Sequence, residues 1–144
     1  MPSVGEVRAS PLSPALSPSG EREIRFAGYA AVFDRVDRVG DVVRRGAFGA
    51  VAPVPLLWAH WGGAVGEIGA IGEDAVGLRV EGMVGGELAG LVRSGAVAGL
   101  SVGFRALRAK QGVWRELFEV ELVEVSLVKV PMQALARVEW VGSG

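Results

Sequence analysis

Apolar and polar residues alternate along most of this chain with a period of two, the signature of strands with one buried face. Glu23-Ile24-Arg25-Phe26 sets the pattern, with Ile24 and Phe26 on one face, and the run continues to Phe33 as a strand with a bend or bulge at Gly28. Residues 34–41 form a charged loop. Its acids lack the spacing of a calcium-binding loop and the bidentate glutamate that closes one, so it reads as solvated. Residues 42–48 lead into a short helix or turn that ends before Pro53. The run Pro55-Leu56-Leu57-Trp58-Ala59-His60-Trp61 reads as a buried strand, with Leu56, Trp58 and His60 on one face and a glycine loop, Gly62-Gly63, after it. Two further strands, 65–70 and 77–84, are joined by a turn at Gly72-Glu73-Asp74. Helical spacing of apolar residues comes only at 87–94, a short helix stopped by Gly95.

The last third of the chain predicts two long strands. The first carries Val97-Ala98-Gly99-Leu100-Ser101-Val102-Gly103-Phe104 and runs on to a turn at Gln111-Gly112; the second spans 114–130. In the second, Glu119 and Glu121 alternate with Phe118, Val120 and Leu122. Continuing the count puts Glu124 on the same face as Phe118, Val120, Leu122, Val128 and Val130. A carboxylate on an apolar face is costly without a partner. Either a bulge flips the register there, or Glu124 meets a hydrogen-bond donor. His60, itself inside an apolar run, needs a partner as well.

Ahead of residue 21 the texture differs. Ser10-Pro11-Leu12-Ser13-Pro14-Ala15-Leu16-Ser17-Pro18-Ser19-Gly20 cannot sustain a ladder and buries little, so residues 1–20 read as a disordered arm. Residues 21–140 read as one domain and 141–144 as a tail. The 144 residues suffice for one core, and half of them are apolar. The net charge of −1 gives no reason to expect nucleic acid or an anionic membrane as partner. With no cysteine and one histidine, disulfides, a thiol nucleophile and a thiolate or histidine-rich metal site are excluded, and no metal or cofactor is expected. No apolar stretch approaches the ~18 residues of a membrane-spanning helix, and the N-terminus lacks the order of a signal peptide. The fold class is mainly β with a few helices, α+β.

Gly99-Leu100-Ser101-Val102-Gly103 matches the nucleophile elbow of α/β-hydrolases letter for letter, but the context fails. The single histidine precedes the serine, and no amphipathic helix follows it. Ser101, His60 and Glu124 can each be a satisfied polar group in a core. Together they supply a nucleophile, a base that works near pH 7 and a carboxylate that fixes the base's tautomer.

Several blocks carry a resemblance: Gly28-Tyr29-Ala30-Ala31-Val32-Phe33; Gly40-Asp41-Val42-Val43 with Gly46-Ala47-Phe48; Leu56-Leu57-Trp58-Ala59-His60; residues 95–104; and Glu121-Leu122-Val123-Glu124-Val125-Ser126-Leu127-Val128 with Pro131. In that order and spacing, over residues 24–138, the chain resembles the prohead maturation proteases of tailed phages, head proteins that also occur in gene transfer agents. The resemblance implies a serine endopeptidase with the fold of herpesvirus assemblin, a bent β-barrel flanked by helices. Such an enzyme acts inside the immature capsid, in the bacterial host cytoplasm, on the scaffolding segment of the major capsid protein and on itself. It implies Ser101 as nucleophile, His60 as base and Glu124 in the place where the viral relatives have a second histidine, with Ser126 as the rival nucleophile. The viral relatives work as dimers, so a homodimer is expected by analogy. Two departures stand out. The family continues past its proline with Ala-Asn where this chain has Pro131-Met132-Gln133-Ala134, and the arginine pair that helps bind the oxyanion in the viral enzymes is missing. The backbone amides near Gly103 or Lys129 are the candidates left. With the chain ending at Gly144, the Ser/Pro arm is the segment open to self-cleavage. The alternative is a non-catalytic assembly factor that keeps the fold and binds the scaffold segment.

Overall fold

A computed structural model describes residues 22–143; the Ser/Pro arm lies outside the described residues. Eight strands and one helix follow in the order β1 (Ile24–Val32), β2 (Asp41–Val43), β3 (Leu56–Trp58), β4 (Trp61–Glu73), β5 (Gly77–Val84), α1 (Gly86–Ser94), β6 (Gly99–Gln111), β7 (Arg115–Val128) and β8 (Val138–Ser143). The strands form one sheet in the order β2-β7-β3-β4-β5-β1-β8, with β6 also on β7. The fold is thus mainly β, with one helix among the described residues. The strand order is an open path, and only an isolated bridge, Gly99 to Arg137, links the start of β6 to the segment before β8. The closed barrel that the resemblance implies is therefore not drawn by the ladders.

The core lies between the curled sheet and α1. Ile24, Phe26, Leu56, Leu78, Val80, Leu100, Leu117, Val125 and Leu127 are fully or almost fully buried there. The helix presents Ala89 and Val92 to this core and ends where Gly95 turns left-handed at φ 83°, its N–H donating to Val92 O. The bend expected at Gly28 is present: β1 shifts register against β8 between Ala27 and Gly28. A side chain at Gly28 would press on the backbone of Arg137 and Val138, with an added Cβ 2.9 Å from Val138 Cα.

Three expectations are corrected. Residues 55–61 are not one strand: β3 stops at Trp58, and Ala59 and His60 both take positive φ, 51° and 64°. With Trp58 paired to Trp61, these two residues form the tip of a tight hairpin whose twist demands left-handed backbone. His60 therefore does not share a strand face with Leu56 and Trp58. Gly62-Gly63 belongs to β4 and not to a loop. Finally, residues 141–143, read above as a tail, are the end of β8; Ile24 opposes Ser143 and Phe26 opposes Val141.

Candidate active site

Strand β7 organises the site because three other strands pair with it. Its first part runs parallel to β2 (Asp41 beside Arg115), its last part parallel to β3 (Leu57 beside Ser126), and β6 runs antiparallel along its length. In the β6–β7 ladder Ser101 opposes Ser126 and Gly103 opposes Glu124, whereas Phe104 opposes Leu122. Val123 is left over as a bulge, 47% exposed. Strict alternation, which placed Glu124 with Leu122, fails at this residue. The bulge does not carry Glu124 into solvent; its carboxylate is buried.

That carboxylate is held from two sides. One oxygen, Oε2, lies 2.5 Å from His60 Nδ1. The other accepts the hydroxyl of Ser126 at 2.7 Å. A carboxylate can only accept, so this contact calls for the Nδ1–H tautomer of His60, in which Nε2 keeps its lone pair. The imidazole is itself 40% exposed. It is delivered to this place by the β3–β4 turn, which two hydrogen bonds fix to β7: Ala59 N–H to Leu127 O at 3.0 Å and His60 N–H to Ser126 Oγ at 2.9 Å.

Ser101 reaches the same place across the ladder. Directly opposed residues project from one face of a strand pair with Cβ atoms ~4.5–5.5 Å apart. Ser101 thus stands beside Ser126 on the face that bears Glu124, and it lines one cavity of about 110 Å³ together with His60. Phe104 and Met132 give this cavity apolar wall, and Asp37 and Asp41 give it acidic wall. Both acids are engaged. Asp37 Oδ1 accepts the N–H groups of Val39 and Asp41, and the Asp41 carboxylate accepts Arg115 Nε–H at 2.8 Å and Nη2–H at 2.9 Å. The bond to Asp41 holds Arg115 above its ordinary pKa.

The glycines that mimic a nucleophile elbow have local reasons of their own. A Cβ on Gly103 would stand 2.7 Å from Glu124 Cδ, in the space the carboxylate needs; a Cβ on Gly99 would stand 2.7 Å from Val128 O and 2.9 Å from Pro131 Cδ. The departure at Gln133 is explained too. Its buried side-chain amide completes the end of β1, accepting Val32 N–H at 2.6 Å and donating to Val32 O at 3.0 Å, which seats Met132 against the cavity. The structure thus brings His60, Glu124 and Ser101 to one face. It adds Ser126 as the bridge between glutamate and histidine, a role whose only trace in the sequence is its position two residues after Glu124 on the same strand face.

Comparison with solved structures shows the fold to be similar to two viral proteases. KSHV protease in complex with a hexapeptide phosphonate inhibitor superposes with a TM-score of 0.59 at 12% identity, covering 85% of this chain and 66% of that one. Varicella-zoster virus protease gives 0.55 at 18%, covering 84% and 64%. In sequence the chain is similar to the prohead protease of Enterobacteria phage HK97, 36% identical over 92 residues. That match covers 55% of this chain and 41% of the phage protein, so less than half of the relative's length is represented. The sequence model of the caudovirus prohead serine protease family matches residues 13–143, nearly the full length, and the chain therefore belongs to that family.

Proposed function

We propose that this protein is a serine endopeptidase of capsid maturation, with Ser101 as nucleophile, His60 as general base and Glu124 as the group that orients the base. The observation that carries the proposal is the Glu124 carboxylate on His60 Nδ1, beside a cavity that His60 and Ser101 line together. A serine hydroxyl at neutral pH is a poor nucleophile until a neutral imidazole takes its proton. With Nδ1–H committed to Glu124, Nε2 is the acceptor. Proton transfer from Ser101 Oγ to Nε2 accompanies attack on the scissile carbonyl, and the imidazolium formed is stabilised by Glu124. The same proton then passes to the leaving amine as the tetrahedral adduct collapses. Water, deprotonated by His60 in turn, releases the acyl group and restores Ser101. The substrate proposed is the scaffolding segment of the major capsid protein, cut inside the immature capsid in the host cell. Self-cleavage in the Ser/Pro arm and a homodimer belong to the same proposal.

The test is intact mass of the capsid protein after co-expression with wild type, Ser101→Ala, His60→Ala and Glu124→Gln. A shortened subunit is expected with wild type, none with the first two variants, and a reduced amount with the third. A shortened subunit in the presence of Ser101→Ala would sink the assignment. Association with the capsid protein without any product, in wild type as well, would make the protein an assembly factor.

A further inference from the structure

We infer that Ser126 is a positioning residue of the site, setting the geometry of Glu124 and His60 without touching substrate. The inference rests on the serine-protease reading above. Ser126 is 0% exposed, and its hydroxyl is used in both directions: the proton goes to Glu124 Oε1 at 2.7 Å and a lone pair receives the backbone N–H of His60 at 2.9 Å. Glu124 Oε2 in turn holds His60 Nδ1. The bonds close a ring from Ser126 through the carboxylate to the imidazole, along the histidine's own bonds to its backbone nitrogen, and back to Ser126.

Two properties follow from the ring. A carboxylate gripped at one oxygen only can turn about its Cγ–Cδ bond and present its second oxygen elsewhere; with Ser126 on Oε1, the plane that Oε2 offers to His60 is fixed. The histidine sits in left-handed backbone at φ 64°, a conformation that side chains other than glycine rarely adopt. The Ser126 bond to its N–H is one of two that keep this turn against β7, the other being Ala59 to Leu127. Ser126 therefore reaches the base by two routes, through the main chain and through the carboxylate. The same bonds remove it as a nucleophile: its proton is given to a carboxylate and not to an imidazole, and its oxygen is fully buried. A buried serine that merely satisfies its neighbours would affect stability and leave the chemistry of folded molecules alone.

The chain has a single histidine, so in untagged protein labelled with ¹⁵N-histidine the ring nitrogens report on His60 alone. Wild type is expected to show Nδ1–H as the dominant neutral tautomer. Ser126→Ala removes the hydroxyl, and Ser126→Cys keeps the shape with a weak donor and acceptor. In both variants, compared as folded protein, the Nδ1–H fraction is expected to fall toward the mixture of free imidazole. kcat is expected to drop by about tenfold to a hundredfold, the scale of small misplacements of catalytic groups, with KM within twofold of wild type. Either folded variant keeping both the tautomer and kcat within twofold of wild type overturns the inference. Absence of cleavage by wild type defeats the protease reading instead, while the tautomer measurement still reports whether Ser126 fixes His60.

Discussion

Gly103→Ala is the substitution that probes the proposed site most directly without replacing one of its three side chains. An added Cβ would lie against Glu124 Oε2, 2.7 Å from Cδ and 3.0 Å from Cγ. Cβ atoms do not tolerate neighbours this close, so either the carboxylate moves or β6 and β7 part between Ser101 and Phe104. Moving the carboxylate releases it from both His60 and Ser126. Hydrogen bonds to a charged group are worth about 1.5–3 kcal/mol each, so losing both at the lower figure amounts to about 3 kcal/mol. That figure is a loss of stability; for the reaction, the displaced carboxylate no longer orients the imidazole, and since small misplacements cost about a hundredfold, kcat/KM is expected to fall by about that much. The assay is cleavage of the capsid protein followed by mass, normalised to folded enzyme by thermal melting. Gly69→Ala serves as the control, since the nearest atom to its Cβ is Glu81 O at 3.9 Å; its cleavage is expected to match wild type. A second control closes the argument. In a Glu124→Ala background the added methyl has room, so Gly103→Ala should cost nothing further there. Folded Gly103→Ala enzyme that cleaves within twofold of wild type would refute the claim that this glycine keeps space for Glu124.

Other predictions concern the frame around the site. Gln133→Leu strands the buried N–H and C=O of Val32, and a loss of about 2–4 kcal/mol is expected from two such groups, measured by urea unfolding; a loss under about 0.5 kcal/mol would contradict it. Glu23 is buried, its Oε2 has no hydrogen-bond partner among the described residues, and burial, helped by Glu67, pushes its carboxyl above the ordinary 4.5. Its ionised form therefore weighs against folding at neutral pH. Glu23→Gln is expected to stabilise at pH 7, with the gain shrinking as pH falls through the folded pKa and vanishing below the unfolded one; a gain that grows on acidification would reverse the sign argued here. Ala59 holds φ 51° with no glycine to ease it, a cost of roughly 1–2 kcal/mol. Ala59→Gly should raise the melting temperature and leave kcat unchanged, and a lowered melting temperature would show that the turn is not strained.

Much of this architecture is legible in the sequence, for identifiable reasons. Strands β1, β5, β6 and β7 each have apolar residues of period two over enough positions to fix type and face. The helix announces itself by spacing and by its closing Gly95. Glu124 stands out because a carboxylate in an apolar run needs a donor, and His60 because an imidazole in one needs an acceptor. What the sequence hides is what depends on pairing. The run through Leu56-Leu57-Trp58-Ala59-His60 is as apolar as a strand, and nothing local says that Ala59 and His60 turn left-handed; the turn exists because Trp58 pairs with Trp61 and β7 accepts both of its N–H groups. The bulge at Val123 likewise depends on the register with β6. Gln133 looks like a departure from the family's pattern until its amide is seen to finish β1.

The proposed chemistry is distributed over this frame in a way that makes it depend on the whole fold. Ser101 and Glu124 lie on two strands of one hairpin and are brought together by local antiparallel pairing. His60 lies 64 residues before Glu124, and the parallel pairing of β3 with β7, together with the turn's bonds to Ser126 and Leu127, sets it there. Parallel pairing of distant segments costs more loop-closure entropy than a hairpin does, since the loop must close before the contacts reward it. On the proposed reading, a chain with only the β6–β7 hairpin formed would hold Ser101 beside Glu124 but lack His60 as its base. Ser126 sits where the two pairings cross: opposite Ser101 in one ladder, beside Leu57 in the other, bonded to both Glu124 and His60. The two hydrogen bonds of this hydroxyl therefore need both ladders in register. On the proposed reading, the β6–β7 hairpin carries the nucleophile and the carboxylate, and the β3–β7 junction brings them the base.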